Sequence, residues 1–138
     1  MPSNVLPGTV GIVGLGLMGG SLAGALRHAG VTGEILGVDQ NPAAVAGLTE
    51  RGWITRGGAD LTLLGSADLV ILALPLPAAV ATLAELPAIL QPGAIVTDVS
   101  SVKGPLEEAA RRYLGLETLS SRSGRLWERL HLPRIGLR

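Results

Sequence analysis

The sequence predicts an α/β fold built on a doubly wound parallel sheet. Three observations carry this. Short apolar blocks alternate with stretches of helical spacing from residue 9 to residue 114, and a strand–helix repeat of that kind closes into a parallel sheet with right-handed crossovers. One block, "ADLVILAL" at 67–74, is apolar almost throughout, the pattern of a strand buried on both faces. A glycine cluster, "GLGLMG" at 14–19, falls where the first block gives way to the first helical pattern.

The elements follow in order. Residues 9–14 read as a buried strand, and residues 17–29 as a helix with Leu22, Ala25, Leu26 and Ala29 on one face, stopped by Gly30. "EILGVD" at 34–39 is a second strand. Asn41 caps a helix over 42–51, with Pro42 in its first turn and Gly52 after its end. Residues 53–55 read as a short edge strand and 60–64 as a helical turn. The strand at 67–74 leads to a helix over 77–90, closed by "QPG". A strand at 94–99 precedes a helix over 105–114, with Glu107 and Glu108 early and Arg111 and Arg112 late, as the helix dipole favours.

Composition narrows the function classes. The 138 residues, 47% apolar, suffice for one domain and a core. With no Phe and 20 Gly, that core is aliphatic. There is no Cys and there are two His, so no metal site is expected. Net charge is zero, which gives nucleic-acid binding no electrostatic support. The balance hides an asymmetry. Residues 1–114 hold six Lys/Arg against nine Asp/Glu, a net of −3, and residues 115–138 hold five Arg against two Glu, a net of +3. Residues 1–9 lack the cations of a signal peptide. The longest apolar run, 69–90, carries Pro75, Pro77, Glu85 and Pro87, unlike a membrane span. A soluble, cytoplasmic protein with no membrane partner is expected.

Gly14, Gly16 and Gly19 match G-x-G-x-x-G between a predicted strand and a predicted helix, the context that gives the motif meaning. Gly14 allows the tight turn, Gly16 the approach of a pyrophosphate, and Gly19 close packing of helix on strand. The amides of Leu17 and Met18 then face the phosphates at the helix N-terminus. Asp39 follows twenty residues after Gly19, where a carboxylate accepts from a ribose diol and repels a 2′-phosphate. Gln40 and Asn41 beside it are neutral. NAD is therefore the expected cofactor, on a Rossmann-type sheet. The competing reading is a chance glycine-rich turn with a surface Asp. A phosphate-loop NTPase is excluded, because Gly19 is followed by Gly20 and Ser21 with no Lys.

"TDVSSVKG" at 97–104 lies at the carboxyl end of the last predicted strand, the edge where open α/β sheets bind ligands. Its hydroxyls and Lys103 face a substrate there, or else simply cap the next helix. Leu74, Pro75 and Leu76, at the same edge, form an apolar wall against the cofactor.

"GIVGLGLMGGSLAGALR", "GVDQNP", "ADLVILALPL" and "LQPGAIVTDVSSVKG", in that order, resemble the N-terminal half of prephenate and arogenate dehydrogenases over about residues 8–114. The Gly-Gly-Ser-Leu ending and the Asp-x-x-Ser-Val-Lys-Gly loop are the specific parts. The resemblance implies an NAD-dependent oxidoreductase of tyrosine biosynthesis, which decarboxylates prephenate oxidatively or dehydrogenates arogenate. It makes Ser101 the serine near the substrate hydroxyl and the catalytic histidine.

The resemblance also marks departures. The family's His-Pro-Met-Ala-Gly-like segment should fall near 121–126, where this chain reads "SRSGRL", and His131 is followed by Leu-Pro. On this reading the family's C-terminal helical domain, which makes the dimer, is expected to be absent. Residues 1–114 thus form a dinucleotide-binding domain. Residues 115–138 form an atypical tail, read either as out-of-frame translation or as a short protein's own tail with a helix over 126–132. An apolar face left by the missing domain favours association, as in a homodimer. Two other functions stay open: a 3-hydroxyacid dehydrogenase-type enzyme, which shares "GLGLMG" but would want Asp-x-Ser-Thr near residue 98, and a non-catalytic NAD-binding module.

Overall fold

The structure, a computed structural model, describes residues 8–99. Ser101, Lys103, the predicted helix at 105–114 and the tail at 115–138 lie outside the described residues. Five parallel strands stand in the order β3-β2-β1-β4-β5. Their spans are β1 Thr9–Val13, β2 Glu34–Val38, β3 Arg56–Gly58, β4 Leu69–Leu72 and β5 Ile95–Asp98. The helices are α1 Leu17–His28, α2 Pro42–Glu50 and α3 Leu76–Glu85, with 3₁₀ turns at Leu61–Ser66 and Leu86–Ala88. The strand order reverses beside β1, which makes the sheet doubly wound and puts a crevice at its carboxyl edge.

Consecutive apolar residues of one strand serve opposite faces, which is why the blocks do not alternate with polar residues. Val10, Ile12, Ile35, Leu69 and Ile71 join Leu22, Ala23 and Leu26 of α1 and Leu48 of α2. Val13, Val38, Val70, Leu72 and Val96 join Leu64 of the first 3₁₀ turn and Ala79 and Leu83 of α3. Ile12, Ile71 and Leu72 are at most 1% exposed, and such burial contributes roughly 1.5–3 kcal/mol per side chain.

Two elements differ from the sequence reading. The edge strand is at Arg56–Gly58, not 53–55. The amides of Trp53 and Ile54 donate back to Leu48 O and finish α2, so pairing starts only when Thr55 N–H reaches Ile35 O at 2.7 Å. Helix α3 ends at Glu85, not residue 90. Pro87 has no N–H to continue the helical ladder, and the chain tightens into the 3₁₀ turn. Elsewhere the ends move by a residue or two, and Asn41 caps α2 by accepting from Ala43 N–H. Gly24 is explained by packing, since a Cβ there would meet the Trp53 ring at 2.9 Å. Among the described residues no helix is long and apolar enough to cross a membrane.

Candidate functional site

The sheet register lines up the site. Val13 is level with Val38 and with Leu72, Val38 with Gly58, and Leu72 with Asp98. The residues one step beyond form a row at the carboxyl edge. Gly14 N–H donates to Val38 O at 2.8 Å, Asp39 N–H to Gly58 O at 3.0 Å, and Ala73 N–H to Val13 O at 2.8 Å. Gly14 and Asp39, distant in sequence, are thereby neighbours.

Each motif glycine meets a different constraint. Gly14 has φ of +95°, and a Cβ there would collide with Ala73 O and lie 2.9 Å from Leu74 Cδ2. A Cβ on Gly19 would collide with Gly14 O, so α1 rests directly on the turn. Gly16 is unlike both. Its φ is −72° and ψ −157°, which any residue adopts, and a Cβ there would meet nothing within 4 Å. The folded chain alone does not require glycine at 16.

The space lies in front of α1. Gly16 is its N-cap and offers no side-chain acceptor, and no acid stands in the first turn. The first helical bond runs from Gly20 N–H to Gly16 O at 2.8 Å. Among the described residues, nothing accepts from the amides of Leu17 and Met18. Their side chains are 91% and 56% exposed. Unpaired amides at the positive end of a helix favour an anion, so the chain's groups fit a phosphate here.

Asp39 is half-buried. Its Oδ2 accepts from Leu15 N–H at 2.6 Å and its Oδ1 from Asn41 N–H at 2.7 Å. It lines a cleft of about 770 Å³ that runs from Gly14 past Gln40, Asp60 and Thr62 to α3. On α3 the wall is Ala78, Ala81, Thr82 and Glu85. Of Leu74, Pro75 and Leu76, only Leu74 lines this cleft. Pro75 is the exposed N-cap of α3, and Leu76 packs into the core on the α3 face. The residues at 60–62 and on α3 escaped the sequence reading. Ala78, Ala81, Thr82 and Glu85 carry a signal, since i, i+3, i+4 and i+7 share one helix face. Asp60 caps the 3₁₀ turn through Thr62 N–H at 2.9 Å, and that bond holds its carboxyl below the usual value.

A doubly wound sheet with a glycine turn, an open helix N-terminus and an acid at the end of its second strand defines a Rossmann-type nucleotide-binding domain. The comparisons narrow the class. The model of the prephenate dehydrogenase nucleotide-binding domain matches residues 22–121, and the chain belongs to that family. A solved prephenate dehydrogenase from Aquifex aeolicus, in complex with hydroxyphenyl propionate and NAD+, superposes with a TM-score of 0.77 at 35% identity, over 83% of this chain and 41% of that one. Synechocystis arogenate dehydrogenase gives 0.71 at 40% identity, over 76% of this chain and 37% of that one. The chain thus spans about two fifths of the length of these structures. (S)-3-hydroxybutyryl-CoA dehydrogenase from Ralstonia eutropha, at 24% identity and a TM-score of 0.61, shares the fold. A search of curated proteins gave no match.

Proposed function

We propose that the chain is the NAD+-binding half of a prephenate or arogenate dehydrogenase acting in the cytoplasm on the route to tyrosine. The observation that carries the cofactor assignment is Gly16, a glycine that the fold itself does not demand, set in open space before the unpaired amides of α1. In this reading the amides of Leu17 and Met18 receive the pyrophosphate. Gly14 and Gly19 keep the turn and the helix clear of it. Asp39 accepts from the adenosine ribose diol, and the adenosine extends into the cleft toward α3. Leu74 is its apolar wall, set at the head of α3 by Pro75 and Leu76.

Charge supports NAD+ over NADP+. Among the described residues, Asp39, Asp60 and Glu85 line the cleft, and no Lys or Arg does. A 2′-phosphate would enter among three carboxylates. NAD+ would supply the hydride acceptor for a substrate ring that loses carbon dioxide and becomes aromatic. Ser101, assigned by family resemblance, would stand near the substrate hydroxyl.

Calorimetric titration of the full chain with NAD+, followed by a turnover assay with prephenate and with arogenate, tests the reading in two stages. Absence of NAD+ binding sinks the cofactor assignment. Binding without turnover of either substrate leaves a nucleotide-binding module and sinks the claim of activity for this chain.

A further inference from the structure

We infer that Asp39 is a positioning residue for the phosphate loop as well as the acceptor for the ribose: its carboxylate anchors the Leu15 amide and so fixes where the open amides of α1 point. This deepens the NAD+ reading of the cleft and rests on it. Asp39 Oδ2 takes the Leu15 N–H at 2.6 Å, and Oδ1 takes the Asn41 N–H at 2.7 Å. Leu15 is the residue between the first two motif glycines, and its side chain is buried against Gly37 and Ile54. The amide bond fixes the remaining freedom of that residue. The next residues along the chain are Gly16, Leu17 and Met18, the phosphate-facing segment. At its other end the same carboxylate leads into the α2 cap, where Asn41 accepts from Ala43 N–H at 3.0 Å. Loop, β2 and α2 therefore meet at one side chain.

The acceptor count fits both duties. A carboxylate has about four lone-pair sites. Two go to Leu15 and Asn41, which leaves two, the number a vicinal diol needs. Ribose binding and loop position would then share one group, and losing it would weaken binding even to a dinucleotide that offers no diol.

Two measurements on the full chain test this, with Asp39→Ala as the variant. In amide hydrogen exchange without ligand, Leu15 should exchange at least about tenfold faster in the variant, the scale of one charge-assisted bond. Gly14, held by Val38 O, should keep its protection and so reports an intact fold. If Leu15 is unchanged, or if Gly14 loses protection with it, the inference is overturned. In titration, NAD+ with a 2′,3′-dideoxy adenosine ribose should bind the variant about tenfold more weakly than it binds the wild type. Equal or tighter binding to the variant makes Asp39 a ribose acceptor only. If the wild type binds no NAD+, the reading of the cleft falls and the ligand half of the inference with it, while exchange at Leu15 still decides the anchor. Asp39→Asn, which keeps one acceptor oxygen, should fall between wild type and alanine in both measurements, and a variant indistinguishable from wild type in both counts against the anchor.

Discussion

Gly19 and Gly14 touch backbone to backbone: a Cβ on Gly19 would collide with the Gly14 carbonyl oxygen. That oxygen belongs to a turn with φ of +95° and cannot give way as a side-chain tip would. Gly19→Ala should therefore lift α1 off the sheet and cost about 3 kcal/mol, the upper part of the range for overpacking. Urea unfolding would show a lower midpoint, and NAD+ affinity should fall with it.

Arg27 makes the opposite kind of contribution, far from the cleft at the last turn of α1. Its guanidinium donates to Gly33 O at 2.7 Å, Val31 O at 3.0 Å and Thr55 Oγ1 at 3.0 Å. It also reaches Gly52 O at 3.3 Å. One planar group thus ties the loops after α1 and α2 to the start of β3. Arg27→Ala should lower stability by about 2 kcal/mol while NAD+ affinity per folded molecule stays the same. Arg27→Lys should not rescue it, because an ammonium cannot span that fork. Thermal melts and titrations of both variants check the pair, and a rescued lysine variant would count against the account.

Legibility in the sequence tracked how much of each element is held by side chains. Strands β1, β2 and β4 were readable because Ile12, Leu36 and Ile71 are buried and apolar. β3 was not, since "RGG" places no apolar side chain in the core. Gly57 has its own reason there, because a Cβ would lie 2.5 Å from Gly37 O. The glycine turn and Asp39 were readable because local chemistry fixes both. The cleft wall from Asp60 to Glu85 was not, since only the crossover through α3 decides which surface faces the Asp39 edge. Leu74, Pro75 and Leu76 read as one wall in sequence; Leu74 and Leu76 both pack against the core on the α3 face, and of the three only Leu74 also lines the cleft.

Asp60 predicts a pH effect of stated sign. The Thr62 N–H lowers its carboxyl below the usual 3.8. A depressed native value stabilises the fold above the unfolded pKa, and that contribution is lost as pH falls through the native value. Between wild type and Asp60→Asn, the difference in stability should be constant at neutral pH and shrink below pH 3.8. Urea midpoints measured down the acid range would show it; a difference that grows on acidification would contradict it.

Cofactor choice should follow the charge lining the cleft. With three carboxylates and no cation among the described residues of its wall, NADP+ should bind at least ~100-fold more weakly than NAD+, or about 2.7 kcal/mol. Gln40 lines the same cleft next to Asp39. Gln40→Arg places a fork where a 2′-phosphate would sit and should narrow the gap by roughly tenfold, mostly by raising NADP+ affinity. Paired titrations of the two dinucleotides measure it. A gap that stays unchanged in the variant would move the adenosine ribose away from this edge.

Gly16 separates what the fold needs from what the ligand needs. Its backbone angles suit an L-residue, and a Cβ would meet nothing within 4 Å. Gly16→Ala should change stability by less than about 1 kcal/mol, since alanine restricts the unfolded chain but is a weaker N-cap than glycine. The added methyl stands where the pyrophosphate must come close, so NAD+ affinity should fall at least ~10-fold, equivalent to about 1.4 kcal/mol. The two readouts must move apart. A variant that loses clearly more than about 1 kcal/mol of stability would show that the fold itself uses glycine at 16 beyond the N-cap preference. One that binds NAD+ as well as wild type would remove the phosphates from the N-terminus of α1, because no dinucleotide seated on those amides could ignore a methyl group in its path.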